Sequence, residues 1–594
     1  MLKLFNSRWH VADFSGLARC VTASASILAT TVSYAQVSPP NSGSLLQTIP
    51  ASKPAEQSQS LDLIEQGLNN TKAMTDVEGL KIDVKEIKIA GLTVLPPSEL
   101  APVVNKFVGP GKKFQDLLDA AGAVKRELAR RGYFLADVVV PKQKIENGVV
   151  EILVVEGRIG TTKVEYDDNV KINRNLINSY LSTLSPGKVI TARDVERALF
   201  LISDLSGVNA HSAFEPGDKV GTANLVVKVS KARDVDANID ADANGSQYTG
   251  VFRGGGTINW NNPLKQGDML SVNYSRTLDA AIKGAKIFGG SGLDTGDQDY
   301  ERVTYLTPVG QLGSKLGVSY STLHYQLGTP LWTPSQASGN AYIGSIMAVQ
   351  PLIRSRNTNV MATYQYDNRN FHDVTVGLQE DKQVKLYSLS LSGDLRDSLL
   401  GGGINIGNVV VTSGYLNINS PDRLQADSTG DRTEGGYGRT NLSYSRLQQL
   451  TKTTGFYFAY TEQWVTKNID ASEKISLGGP NGVRAYPQGE GAGDEGYVGT
   501  LEWRYGLPRI DKLPGDRTFV LFYDYAWSKS IKDPTVNDAA KNTTSLRGAG
   551  IGLNWEVQHD WSLRTTAAWR ITATPTSETV DPQPRIYFQL NKKI

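Results

Sequence analysis

Tyr387-Ser388-Leu389-Ser390-Leu391-Ser392 alternates an apolar side chain with a hydroxyl at every step. A β-strand has that period, and it turns Tyr387, Leu389 and Leu391 to one side and the serines to the other. The pattern recurs through the C-terminal part of the chain. Leu270, Val272 and Tyr274 alternate with Ser271, Asn273 and Ser275, and Leu501, Trp503 and Tyr505 alternate with Glu502 and Arg504. Trp561, Leu563, Ala567, Trp569 and Ile571 share a side opposite Arg564 and Arg570. An apolar side ending in aromatics, backed by a small, polar or charged one, describes a transmembrane antiparallel β-barrel with a wet lumen. Residues 231–594 carry this alternation with no helical period. At about 20–25 residues per strand and connection they hold roughly 15–18 strands, and closure favours an even number near 16.

Composition agrees. The chain has 594 residues with 58 Gly, and Tyr (25) outnumbers Phe (15), as turn-rich antiparallel sheets require. Lys+Arg 62 against Asp+Glu 60 leaves a formal charge of +2, which gives no electrostatic basis for a nucleic-acid partner. With 40% hydrophobic and 21% charged residues the chain is not a disordered tail protein. No stretch approaches the ~18 apolar residues of a transmembrane helix, so any crossing must use strands in a closed barrel. The one cysteine, Cys20, lies in a segment read as removed, which excludes disulfides and thiolate metal sites from the mature chain.

Residues 1–35 read as a secretory signal: Lys3, Arg8 and Arg19 supply charge, residues 21–32 a mildly apolar run, and Ser33-Tyr34-Ala35 a cleavage site. Residues 36–80 begin Pro/Ser/Gln-rich and read as a linker. The stretch 62–68 is open to two readings, a tethered helical turn that could serve as a plug or a plain spacer.

Residues 81–157 and 158–230 repeat one order: strand, helix, helix, strand, strand. In the first, the strand is 84–89, Ser98 caps a helix to Phe107, and a second helix runs from Phe114 to Arg131. Leu117, Leu118, Ala121, Val124 and Leu128 lie on one face of it, and strands 133–140 and 149–155 flank the turn Asn147-Gly148. In the second, the strand is 159–166, helices span 172–184 and 192–205, and strands span 209–214 and 223–229. Two such α+β modules in tandem leave sheet edges able to accept an extended peptide.

No enzyme is visible. The five histidines are scattered without a His-Glu-x-x-His pair, and there is no Gly-x-Ser-x-Gly elbow or Walker loop, so no catalytic residue, metal or cofactor is expected. Gly489, Gly491 and Gly493 lie in a long loop with no helix after it, which argues against a phosphate cradle. The single Gly-rich run 289–294 reads as a surface loop. Tyr523, Tyr525 and Trp527 belong to the lipid side of their strand, so Asp524 faces the lumen, where a carboxylate needs water or a partner.

Several stretches resemble the outer-membrane transporters of two-partner secretion, in the Omp85 superfamily that also contains the barrel-assembly factors. Residues 244–250, continuing through Arg253 to Asn262-Pro263-Leu264 and Gly267-Asp268, resemble that family's first barrel hairpin. Gly482-Val483-Arg484-Ala485-Tyr486-Pro487, with Gly493-Asp494, resembles its signature loop, here around 478–497. Phe522-Tyr523-Asp524 resembles the barrel-wall motif, and Val155-Glu156-Gly157 the end of a periplasmic POTRA module. The resemblance implies two POTRA modules of βααββ order in the periplasm and a barrel in the outer membrane of a Gram-negative bacterium. It further implies a loop folded into the pore and held by Arg484 against Phe522 and Asp524. The implied partners are a large secreted exoprotein of haemolysin, adhesin or toxin type, captured by the modules, and membrane lipid. The transporter would work as a monomer. Two departures stand out. Ala485 replaces a glycine common in the family, which suggests less access to positive φ, and the C-terminus lacks a terminal aromatic. A barrel-assembly factor and a passive porin or solute receptor are the rival readings. The presence of only two modules and a Pro-rich extension weighs against the first, and the presence of any modules against the second.

Overall fold

The computed structural model describes residues 40–47, 49, 63–64, 81–278, 296–328, 337–535, 542–557, 560–578 and 581–594. The expected signal segment 1–35 with Cys20, most of the linker and the Gly-rich run 289–294 lie outside the described residues.

Sixteen antiparallel strands, from Val235–Asp242 to Arg585–Lys593, close into a barrel in sequence order. The last strand pairs with the first from Asn238↔Lys593 to Asp242↔Gln589. The alternation works as expected from period two. Tyr387, Leu389 and Leu391 are exposed on the outer wall, with Leu501 and Leu521 on theirs. Ser388 meets Thr412, and Ser390 donates to Asn408 on the inner wall. A sixteen-strand barrel is too wide for its wall side chains to fill. Two other segments of the chain occupy the lumen, and both lie toward the rim away from the modules.

The first is a short helix, α1 (Ser42–Leu46), capped by the Asn41 side chain. It sits upstream of 62–68, the stretch left open between a helical turn and a spacer; of that stretch the described residues, Leu63–Ile64, form a two-residue strand. That strand pairs in parallel with Ser212 and Ala213 of the second module. One of the sheet edges expected to be open is therefore covered by the chain's own linker. The second lumenal segment is the connection between strands Thr454–Val465 and Glu495–Gly506, described below.

The first module departs from its expected outline in three places. The strand expected over 84–89 is two strands, Lys81–Val84 and Glu86–Ala90, which enter different sheets. The chain turns between them where the amides of Lys85 and Glu86 both donate to the Gly148 carbonyl. The helix from Ser98 breaks into 3-10 and α pieces around α2 (Ala101–Val104), with Pro96 rather than Ser98 in the cap position and Pro102 unable to supply an amide. Strand 133–140 shrinks to Asp137–Val139. The long helix α3 (Phe114–Arg130) buries Leu117, Ala120, Ala121, Val124 and Leu128 against the strand Val149–Val155. Asn147 and Gly148 both take positive φ, as a tight turn requires.

The second module follows its pattern closely. Helices α4 (Arg174–Leu181, capped by Asn173) and α5 (Ala192–Ser203, capped by Thr191) cover a sheet of Arg158–Tyr166, Thr222–Lys231 and Val208–Pro216. At the junction, Glu156 accepts from the amides of Thr93 and Val94 and pairs with Arg158 at 2.7 Å. Gly157 has no room for a Cβ against Leu135.

Module two docks on the barrel's near rim. The turn 262–268, read as part of a family hairpin, is one docking point: Asn262 donates to the Lys171 carbonyl and the Asn173 amide to Lys265. Asp268, fully buried, holds that turn from inside by accepting from the amides of Leu264 and Gln266. Leu201 of α5 lies against Gly313 of the next rim turn, so closely that a Cβ there would meet it at 2.2 Å.

Candidate functional site

Residues 466–494 leave the far rim and turn back into the barrel. Gly482 lets the loop double over, since a Cβ there would lie 2.1 Å from the Leu477 carbonyl oxygen. The Val483 amide then donates to that carbonyl, and Leu477, Val483, Ala485 and Tyr486 pack on Val498, Val520, Phe522, Ala526, Leu546 and Ala568 of the inner wall. This part of the lumen is dry.

Arg484 and Asp524 meet there. Arg484 donates from Nε to Oδ2 at 2.9 Å and from Nη2 to Oδ1 at 2.8 Å, a two-pronged fork, and its backbone amide adds a third bond at 3.1 Å. Its guanidinium carbon stands 3.4 Å from the centre of the Phe522 ring. Arg484 is 9% exposed and Asp524 0%. In so dry a setting, losing one partner of an ion pair costs about 3–5 kcal/mol, well above the ~0–1 kcal/mol of a solvated pair.

Glu502 was legible as an inward residue but not as a partner. It accepts from Arg484 Nη1 at 2.8 Å and from Arg504, while Thr500 donates to Asp524. Two cations and two carboxylates thus neutralise one another, Arg484 from the loop and Glu502, Arg504 and Asp524 from two neighbouring strands.

The other predicted loop residues serve as anchors. Tyr486, fully buried, donates to the Ala573 carbonyl and meets Thr572 through its hydroxyl, and its carbonyl accepts from Tyr587. Pro487 is buried, and its carbonyl accepts from the Glu490 amide. Gly493 bridges to Ile475, and a Cβ there would meet the Lys529 carbonyl. Asp494 pairs with Lys474 at 2.7 Å and accepts from the Lys532 amide. Ala485 needs no positive φ, which overturns the concern over its side chain; it packs against the space left by Gly548.

Sequence reasoning missed Glu490, which receives the amides of Thr576 and Ser577, and Glu473, which sits between Arg369 and Arg439. Both lie far along the chain from their partners, and no local pattern announces either.

α1 completes the obstruction. The Ser42 amide and hydroxyl both donate to Asp373, and Leu45 enters an apolar pocket that includes Leu323, Ala341 and Phe371. Between α1, the loop and the wall remains a cavity of about 480 Å³ lined by Leu46, Gln47, Asn481 and Gly482 together with Arg369 and Arg439. Among the described residues no His, Cys, Asp and Glu cluster could hold a metal. The arrangement is a wide polar conduit closed by two segments that side chains, not sheet ladders, keep in place.

Comparison with known proteins accounts for this architecture. Residues 82–157 match the POTRA domain, ShlB-type, and residues 221–555, more than half of the chain, match the haemolysin secretion/activation protein ShlB/FhaC/HecB. The chain is 24% identical over 533 residues to the heme/hemopexin transporter protein HuxB of Haemophilus influenzae, covering 89% of this chain and 91% of that one. It is 24% identical over 495 residues to the outer membrane transporter CdiB of Escherichia coli O6:K15:H31, covering 81% and 78%. Its fold is similar to that of CdiB from Escherichia coli, with a TM-score of 0.65 at 19% identity over 89% of this chain and 93% of the other. The chain therefore belongs to the haemolysin secretion/activation protein family, and it is an outer-membrane transporter of two-partner secretion that exports a large exoprotein partner, its modules in the periplasm.

Proposed function

We propose that Arg484, Asp524 and Phe522 form the lock of the export conduit, and that α1 is its plug. The observation that supports this most directly is the pair of lumenal obstructions, residues 42–46 and 466–494, each held by side-chain contacts that can break without disturbing a barrel strand. The linker 36–80 would tether α1, and residues 1–35 would be the signal removed on export to the periplasm. The two modules, 81–157 and 158–230, capture the partner in extended form at sheet edges. Where Leu63–Ile64 covers the edge of the second module, the partner must displace it or use the first module. The cargo is of the haemolysin, adhesin or toxin class. The transporter acts as a monomer in a lipid bilayer, its outer wall meeting the acyl chains.

Nothing in the chemistry of the site consumes an energy source, so export draws on folding of the emerging chain outside, which prevents its return. Co-expression with a large secreted exoprotein of two-partner type tests the reading. Secretion should require both modules, and deletion of residues 40–47 should raise single-channel conductance. A barrel whose conductance a polypeptide does not alter, and which secretes nothing, would reject it.

A further inference from the structure

We infer that Glu473 is a second positioning residue of the gate, one that holds the ascending arm of the inward loop and thereby forms the seat of α1. The inference rests on the transport reading only for its consequence, since the seat itself is a matter of contacts.

The ascending arm makes a 3-10 turn at Ala471–Glu473. Glu473 is 1% exposed and sits between two arginines of the wall. Its Oε1 accepts from Arg369 at 2.9 Å, Arg439 pairs with Oε2, and its backbone carbonyl accepts from Gln463 at 2.9 Å. One turn earlier, Asp470 pairs with the buried Lys382 at 3.0 Å and accepts from the Ser472 amide. The arm is thus fastened at both ends. Its ion-pair partners lie on the strands Thr358–Thr375, Leu378–Asp397 and Gly435–Gln449, whereas the Arg484 lock uses Glu495–Gly506 and Asp516–Lys529. The two anchors hold one loop to different stretches of wall.

α1 rests on the arm, not on the tip that carries Arg484. A Cβ on Gly43 would lie 2.5 Å from the Ser472 Cβ and 3.0 Å from its Cα, so backbone meets backbone with no slack. Gln47 donates to the Ala471 carbonyl at 3.2 Å. On its other side α1 is held by Asp373, which is 3% exposed and also accepts from Tyr325 at 2.7 Å. The helix is clamped between wall and arm. Close-packed contacts of this kind shift as units rather than yield gradually. Moving the arm therefore unseats the plug, while freeing the tip alone leaves it in place.

A spin-labelled full-length protein tests this, with cysteines at Pro40 and Ser428 in a Cys20→Ser background, in lipid vesicles without cargo. Pulsed dipolar spectroscopy reads the fraction of α1 that is displaced. Glu473→Gln should raise the ratio of displaced to seated helix by roughly tenfold, and Arg484→Ala by much less. Gly43→Ala attacks the seat from the plug side without touching Glu473. It should displace α1 likewise, and Ser472→Gly, which removes the 2.5 Å contact but leaves the Cα at 3.0 Å, should restore it in part. Heat-modifiable gel mobility confirms that each barrel is closed. An unchanged distance distribution in both Glu473→Gln and Gly43→Ala would overturn the inference, as would equal displacement by Arg484→Ala. Secretion is scored separately: a wild type that exports nothing would refute the transport reading and leave the spectroscopic result standing.

Discussion

Arg354, at the end of a barrel strand, grips Asp204, at the end of helix α5 in the second module, through two parallel hydrogen bonds of 2.9 and 2.8 Å. Both side chains are buried, Arg354 also lies over the Phe200 ring, and Lys315 reaches the Asp204 carbonyl. This fork joins the periplasmic part of the protein to the membrane part, beside the turn contacts at 262–268 and at Gly313.

Arg354→Ala should undock module two. The uncompensated Asp204 costs about 3–5 kcal/mol in a buried setting, and the distance distribution between labels on α4 and on the rim turn at 310–313 should broaden. Arg354→Lys keeps the charge but not the fork, so it should restore docking only in part. A distribution as narrow as wild type in the alanine variant would show that the turn contacts suffice.

For the lock, Arg484→Ala should leave the barrel folded and inserted, since no strand ladder involves that side chain, and should lower secretion sharply. It strands Asp524 and weakens the partnership of Glu502, and at about 3–5 kcal/mol the loop equilibrium shifts on the order of a hundredfold or more. Adding Asp524→Asn should recover part of the loss, because removing both charges is milder than orphaning one. Cargo in the medium and heat-modifiable mobility are the two readouts.

Gly548 supplies a steric test. A Cβ there would lie 2.6 Å from the Ala485 Cβ and 3.2 Å from a Val483 methyl. Gly548→Ala should push the loop off the wall at a cost of roughly 1–3 kcal/mol and raise its susceptibility to added protease. Ala485→Gly in the same chain should reverse the effect. Failure of that rescue would mean that Gly548 serves its own strand, not the loop.

The module junction should respond to acid. Burial pushes the Glu156 carboxyl up, but the bonds from Thr93 and Val94 and the charge of Arg158 outweigh it and hold the group below its usual range. A depressed folded pKa stabilises the junction fully above the ordinary glutamate value of about 4.3, and that stability is lost as pH falls through the lowered value. Distances between labels on α3 and α4 should therefore stay constant from neutral pH to about 4.3 and widen only below it. Glu156→Gln should remove that transition.

Much of this was legible in residue order. Period-two alternation identified the barrel and the inward side of Asp524 and Glu502, because a strand's faces follow from local geometry alone, and the length of the alternating region placed the strand number near 16. Helical spacing placed α3 and α5 to within a few residues. Prolines at 96 and 102 broke the helix expected after Ser98, a local effect that the apolar spacing concealed. Leu63–Ile64 adopts a strand because the module edge at Ser212 offers a partner, and a partner is not a local property.

What the sequence determined by itself is what neighbours along the chain decide: which residues alternate, where turns fall, and which stretches resemble a known transporter loop. Tertiary structure alone decided which groups meet around the plug and the arm that seats it. Glu473 lies 104 residues from Arg369, and Asp373 lies 331 from Ser42. Their pairing depends on barrel closure, which brings distant strands around one lumen. The physical reason is that charges in a water-poor interior must find partners wherever the closed wall presents them, whatever their distance in the chain.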